Sequence, residues 1–495
     1  MRGTGYLRQR YRAILSYTGF ILILCAGMML TPLLALLVWP GELLQAWAFV
    51  VPAVVTGAAG LIGWRLLRPR SDVVLTVQEG GVIVLLSWVI ACLLHALPFM
   101  ALSGLNFTQA VFESVSGWTT TGLSVVDVTK ASHVILLWRS ILQFAGGAGL
   151  AIIMLSAITG PTGPAVGVAE GRDQLVPHVQ QSAKLVMMIY SGYGVVGTVA
   201  LRWAGMNWFD AINHCLPAIS TGGFSTRVES IAYWDSAVIE AVIIVLMILG
   251  NLNFVTAYLL LRGKLRAVVR NGEVRLMAVL IPVSALLTFL LTCRGLYPTT
   301  GKAIRVAIFD TISALTTTGF STVGYGNWNG FGWLVLIVLM LIGGGTCSTA
   351  GGIKQYRVYL LYKSLVWELR RWLLPRTAVM ENAVWEAERQ VFVNDTRLRQ
   401  IGTFVFLYLA TYIVGSAILT ACGYGLKESL FEYASAIGDV GLSCGITSPS
   451  APTGALWDMT VGMFLGRLEF FVILASTAKL ARDAWSMAKP AREVA

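Results

Sequence analysis

Stretches of about 20 apolar residues recur about ten times along this chain, and such a sequence folds only as a bundle of membrane-crossing helices. A hydrocarbon core about 30 Å thick demands that length and offers no water to an open backbone. The stretches fall at 14–39, 48–67, 80–101, 133–158, 184–204, 235–261, 276–293, 331–361, 400–422 and 457–478. Of the 495 residues, 56% are hydrophobic and 12% charged, against about 25% charged in ordinary soluble chains. That balance excludes soluble enzymes, secreted disulfide scaffolds and disordered tails. The first stretch follows Arg2, Arg8, Arg10 and Arg12 but is too long for a signal-peptide core, so a retained helix is expected.

The net charge of +11 does not point to nucleic acid, because the basic residues sit in short segments between apolar runs instead of forming one soluble face. With ten spans and the amino terminus inside, 27 of the 36 Lys and Arg fall on the cytoplasmic side, the asymmetry that orients a multi-pass protein. Both termini are then cytoplasmic. The seven cysteines are scattered without a C-x-x-C pair and read as buried thiols, and the four histidines lack metal-ligand spacing. No cofactor is implied. No H-E-x-x-H, G-x-S-x-G or paired-carboxylate constellation supports an enzyme, and neither a P-loop nor a G-x-G-x-x-G opens a helix.

One unit appears four times: FESVSGWTTTGLS (112–124), NHCLPAISTGGFS (213–225), FDTISALTTTGFS (309–321) and FEYASAIGDVGLS (431–443). Beyond Gly122, Gly223, Gly319 and Gly441, after a further 24, 27, 24 and 25 residues, a second glycine recurs inside a long apolar span, at Gly146, Gly250, Gly343 and Gly466. The segments between paired spans are too short to cross and too apolar for exposed loops, so each is expected to enter the membrane partway and return. Such backbone survives only where it is sheltered by protein or lines an aqueous cavity. Four copies around one axis make a ring whose small residues let carbonyl oxygens point inward, the ligand chemistry of a dehydrated alkali ion. A short helix before each tail aims its negative end at that ring.

These residues resemble the Trk/Ktr/HKT superfamily of potassium transporters, and its bacterial TrkH-type branch in particular. The resemblance rests on the four units, on TVQEGG around Glu79, on GGGTCSTAGGIK (343–354), on FLGRLE around Arg467 and on two extra leading helices. It implies an all-α polytopic membrane protein of four M1-P-M2 pseudo-repeats around a central pore. The expected divisions are a leading two-helix segment (1–73), repeat 1 (74–163), repeat 2 (164–264), repeat 3 with an intramembrane gate loop (265–361), a cytoplasmic basic segment (362–398) and repeat 4 (399–495). Implied function is potassium uptake across the bacterial cytoplasmic (inner) membrane, the alternatives being a less selective potassium/sodium transporter or a secondary cation symporter. Potassium is the transported ligand. Its implied binding residues are Thr120, Thr121, Gly122, Thr221, Gly222, Gly223, Thr317, Thr318, Gly319, Asp439, Val440 and Gly441.

Glycine at all four filter positions favours potassium within this family. Asp439 stands where the other units have Thr120, Thr221 and Thr317; it either faces the pore and tightens cation binding or turns behind the loop and is hydrogen-bonded there. Gly343, Gly344, Gly345, Thr346, Cys347, Ser348, Thr349, Gly351 and Gly352 break the third unit's second span and are implied to form the gate, a static kink being the alternative. Arg467 is an intramembrane arginine, either a barrier to cations or the partner of Glu469 or of gate-loop carbonyls. Glu113, Asp310 and Glu432, with His214 in the second unit, concentrate cations at the mouth or brace their helices. The basic segment is expected at the inner membrane surface. The resemblance further implies a homodimer and a separate cytoplasmic regulatory subunit that binds NAD or ATP.

Overall fold

Helices satisfy their own backbone, which is why the apolar stretches appear as helices in the computed structural model, which describes residues 4–68, 76–149, 179–375, 381–386 and 389–488. Two leading helices, Thr4–Met29 and Trp47–Leu66, pack against each other. Four outer helices then open the four units: Val77–His95, Val179–Trp203, Gly272–Thr288 and Asp395–Ala421. The first unit is tied to the leading pair by a buried ion pair between Arg10 and Glu79, whose carboxylate also completes a capping box with Thr76.

Each outer helix is followed by a short pore helix: Phe107–Trp118, Trp208–Ser220, Thr300–Leu315 and Leu426–Ile437. The side chains of Asn106, Asn207 and Thr299 accept from Gln109 N, Asp210 N and Lys302 N and so start three of them. Inner helices His133–Ala148, Ala237–Asn251, Gly330–Ile342 and Thr453–Leu468 complete the units.

The inner helices correct the sequence reading. The 235–261 span is two helices, Ala237–Asn251 and Phe254–Leu261, bent by 116°. Likewise 457–478 is Thr453–Leu468 and Phe470–Ala488, bent by 103° around Glu469 at φ +61°. The first inner helix ends at Ala148, and the remainder of 133–158 lies, but for Gly149, outside the described residues. Only the third span, interrupted between Gly330–Ile342 and Gln355–Leu373, breaks where glycines predicted it. The recurring second glycine explains the common position. A Cβ on Gly146, Gly250 or Gly466 would overlap the carbonyl oxygen of Trp118, Ile219 or Ile437, near the end of that unit's pore helix. In the third unit Gly343 lies instead against Gly351 and Gly352.

A second difference lies at 362–398. The helix runs on to Leu373, and a hairpin, Ala383–Glu386 paired antiparallel with Arg389–Phe392, follows. Val384 and Val393 pack with Leu360, Trp367 and Ile401 in a small separate core. Among the described residues this hairpin is the one departure from an all-helical chain.

Candidate functional site

The four glycine-bearing loops meet at one place. A Cβ on Gly122 would overlap the Gly222 carbonyl oxygen, one on Gly223 that of Thr318, one on Gly319 that of Val440, and one on Gly441 that of Thr121. Each glycine thus abuts the carbonyl just before the glycine of the next loop, and the series closes on itself. The backbone repeats as well. Thr120, Thr221, Thr317 and Asp439 have φ of +58°, +53°, +53° and +52°, and the glycines two residues on have +95°, +70°, +82° and +99°. Left-handed backbone disfavours residues with a Cβ, and here surrounding contacts hold it. The nitrogens of Thr121, Gly222, Thr318 and Val440 donate to carbonyls five residues back in their pore helices, at 2.8–2.9 Å. All four pore helices end at this ring, so their negative ends converge on it.

Side chains leave the ring to the backbone. The Thr121 and Thr318 hydroxyls share hydrogen bonds with those of Thr119 (2.7 Å) and Thr316 (2.8 Å), so what these residues can offer an ion is a carbonyl. Asp439 is fully buried, and its Oδ1 accepts from the Thr121 hydroxyl at 3.1 Å. Its Oδ2 lies 3.0 Å from where a Cβ on Gly351 would stand and 3.1 Å from one on Gly466. Arg467 and Lys354 supply the opposite charge nearby. The Oδ1 contact favours the turned-away arrangement of the two considered. Accordingly Asp439→Asn, which keeps the shape and an oxygen for Thr121, is expected to leave the ratio of rubidium to sodium uptake within about twofold of wild type; a tenfold change would mean that the carboxylate meets the ion, since a charge–ion contact at an effective dielectric near 20 is worth several kcal/mol.

Residues 343–352 lie directly against this ring. Thr349 Oγ1 accepts from the Thr221 hydroxyl at 3.1 Å and donates to Gly250 and Ile219 carbonyls, while Gly351 N donates to Thr317 Oγ1 at 2.8 Å. The segment therefore touches three of the four loops at their left-handed residues. Elsewhere Gly344 N donates to Gly351 O, Gly345 N to Asn251 Oδ1, Thr346 N to Glu273 Oε1 at 2.7 Å, and Ser348 Oγ to Gly345 O. Cys347 accepts from Phe254 N through its carbonyl. Gly343, Cys347, Gly352 and Lys354 all have positive φ, which is why no helix continues. Two cations hold the segment's carbonyls: Lys354 Nζ donates to Ala350 O, and Arg467 to Thr349 O at 2.6 Å, while Arg467 also donates to Gly146 O of the first inner helix at 2.6 Å. Glu469 does not pair with Arg467 in these contacts; its carboxylate takes Arg357 at 2.6 and 2.7 Å.

The acidic residues of the pore helices brace the chain just past the ring. Glu113 accepts from Ser124 Oγ and Val125 N, Asp310 from Thr322 N and Oγ1, and Glu432 from Ser443 Oγ and Cys444 N. His214 meets Ser225 Oγ at 2.8 Å in the same relation. All act eleven or twelve residues on, across the ring turn, and all four are fully buried. At the rim, Lys302 and then Arg305 hold the Asp235 carboxyl below the usual range.

Sequence reasoning missed Asn251, Glu273, Arg139 and Gln143, and named Lys354 only as the end of a motif, without a role. The rule that singled out Arg467, an arginine inside an apolar span, applies equally to Arg139.

Known proteins resemble this chain in sequence and in overall fold. Over 483 residues the chain is 30% identical to the Trk system potassium uptake protein TrkH of Escherichia coli, covering 94% of this chain and 98% of that one. The corresponding protein TrkG of Escherichia coli is 29% identical over 485 residues, covering 94% and 97%. An uncharacterized cation transporter of Methanocaldococcus jannaschii is 29% identical over 437 residues, covering 87% and 88%. The crystal structure of the potassium transporter TrkH from Vibrio parahaemolyticus superimposes with a TM-score of 0.82 at 28% identity, covering 94% of this chain and 98% of that one. Residues 62–487 match the TrkH family of cation transport proteins, and with the fold and the ring alike in place, the chain belongs to that family.

Proposed function

We propose that this chain is the ion-conducting membrane subunit of a potassium-uptake system in the bacterial cytoplasmic membrane, with both termini cytoplasmic. The ring at Gly122, Gly223, Gly319 and Gly441 is its selectivity filter, and carbonyls from Thr120, Thr121, Thr221, Gly222, Thr317, Thr318, Asp439 and Val440 complete the ligand set. The observation that carries this reading is the closed contact of each filter glycine with the carbonyl of the next loop. A ring of backbone dipoles replaces an ion's hydration shell, and converging helix ends favour a cation there. Potassium as cargo is supported by the names of the TrkH and TrkG relatives.

Beneath the filter, 343–352 is the gate, latched by Arg467 and Lys354. Opening requires the segment to leave Thr221, Thr317 and Asp439. Control comes from a cytoplasmic nucleotide-binding subunit, NAD or ATP being its ligand, acting on a homodimer of this chain. Catalysis has no part in it. Reconstituted into vesicles under defined gradients, the chain is expected to take up rubidium in competition with potassium, with sodium a poor competitor, and faster when the regulator is added. Equal competition by sodium would overturn the potassium assignment, and no flux with or without the regulator would overturn the pore.

A further inference from the structure

Repeat 1 breaks the fourfold pattern with one side-chain pair. Seven residues before the recurring glycine of the inner helix stand Arg139, Ile243, Leu336 and Met459; three residues before it stand Gln143, Met247, Met340 and Met463. Three copies put buried apolar side chains at both places, whereas repeat 1 puts a guanidinium only 2% exposed and a fully buried carboxamide. An arginine at this depth is costly and is retained where it has a task. Arg139 and Gln143 lie one turn apart on one face of the helix, and both reach into neighbouring filter loops.

Arg139 holds two loops at once. Its Nε donates to Glu113 at 2.8 Å and its Nη2 to Ser124 Oγ at 2.8 Å, both in repeat 1, while Nη1 donates to the Ser225 carbonyl of repeat 2 at 2.9 Å. The guanidinium also lies 4.0 Å over the Phe224 ring. Gln143 takes the next two backbone positions of loop 2, donating through Nε2 to Gly222 O and accepting at Oε1 from Phe224 N at 3.1 Å. Gly222 O is the carbonyl that Gly122 abuts. The pair therefore sets the spacing of loops 1 and 2 across the filter.

We infer that Arg139 and Gln143 are specificity-determining positioning residues: they fix the separation of loops 1 and 2 and so discriminate potassium from sodium. Neither touches the ion by its side chain. The inference rests on the filter reading above. A ring free to contract at one seam fits the smaller sodium ion better, so loosening that seam lowers selectivity more than it lowers flux.

The test copies the other repeats. Gln143→Met removes no charge, and the double variant Arg139→Met with Glu113→Gln removes the guanidinium without leaving a buried carboxylate unpaired. Both are reconstituted in vesicles, checked for monodispersity and thermal midpoint, and assayed for rubidium and sodium uptake. Folded variants whose rubidium-to-sodium ratio falls by about tenfold, equivalent to roughly 1.4 kcal/mol, with rubidium uptake reduced less than the ratio, support the inference. A wild-type ratio in folded variants overturns it, as does loss of folded protein in both, which would make the pair purely structural. Gly319→Ser, in loop 3 away from the pair, separates the two readings. If it abolishes rubidium uptake and the pair variants keep the wild-type ratio, the staple alone fails; if its rubidium uptake is near wild type as well, the filter reading fails too.

Discussion

Gly319→Ala abolishes potassium uptake while leaving a folded protein: a fall of about a hundredfold or more in rubidium flux is expected, the effect of roughly 2.7 kcal/mol or more in the conduction barrier. Gly319 sits at φ +82°, and its added Cβ would overlap the Val440 carbonyl oxygen and lie 2.8 Å from Val440 C and 2.9 Å from Gly441 Cα. Neither neighbour is the end of a flexible side chain; both are backbone of the next loop. The strain of a left-handed alanine adds about 1–2 kcal/mol. Because the ring closes on itself, a shift in loop 4 is passed to Gly441 and on to Thr121. Gly326→Ala, where a Cβ meets nothing within 4 Å, is the matched control. Near wild-type flux through the Gly319 variant would mean that ions do not pass this ring.

The second large effect is expected at Arg467. Replacing it with alanine removes both the hydrogen bond to the Thr349 carbonyl and the positive charge that the proposed reading sets beneath the ring. At roughly 10 Å and an effective dielectric near 20, that charge repels a potassium ion by about 1.7 kcal/mol. Resting flux without the regulator is therefore expected to rise more than about tenfold. Arg467→Gln divides the effect, since glutamine lacks the charge and can still donate to the Thr349 carbonyl. High flux in Arg467→Gln as well as Arg467→Ala assigns the barrier to charge; high flux in alanine alone assigns it to the latch. Unaltered flux in both, or lost folding, would remove Arg467 from the gate and leave it a purely structural bond to Thr349 and Gly146.

Much of this architecture was legible because repetition is legible. Four copies with a glycine at one register pointed to a ring, and the four loops do meet; the second glycine beyond it was visible as a landmark, and its contact with the pore-helix end in three of the four units was not. The bends after Gly250 and Gly466 escaped notice because a single glycine in an apolar run reads as ordinary helix; each glycine admits a pore-helix carbonyl one to three residues before the break, a tertiary contact. Gly343 announced its break because other glycines followed within ten residues. The period of Glu113, Asp310 and Glu432 told that they share a role; their hydrogen bonds go to the chain past the ring and not to the starts of their own helices, where bracing was expected. Their targets lie across a turn whose shape depends on a left-handed residue, Thr120, Thr317 or Asp439, and no periodicity reports that. The hairpin at 383–392 was hidden in a short segment rich in charge, where Val384 and Val391 are too few to mark strands.

The knees in the inner helices have a consequence for how such a protein can be controlled. At Asn251 and at Glu469 a rigid rod gives way to a joint, and the third unit has an irregular segment at the same depth. On the proposed topology a cytosolic regulator meets the arms below these bends, and the ring lies among the arms above them. Regulation and ion choice become separable inheritances: a lineage can exchange the machinery that pulls on the lower arms while the upper storey keeps its preference intact.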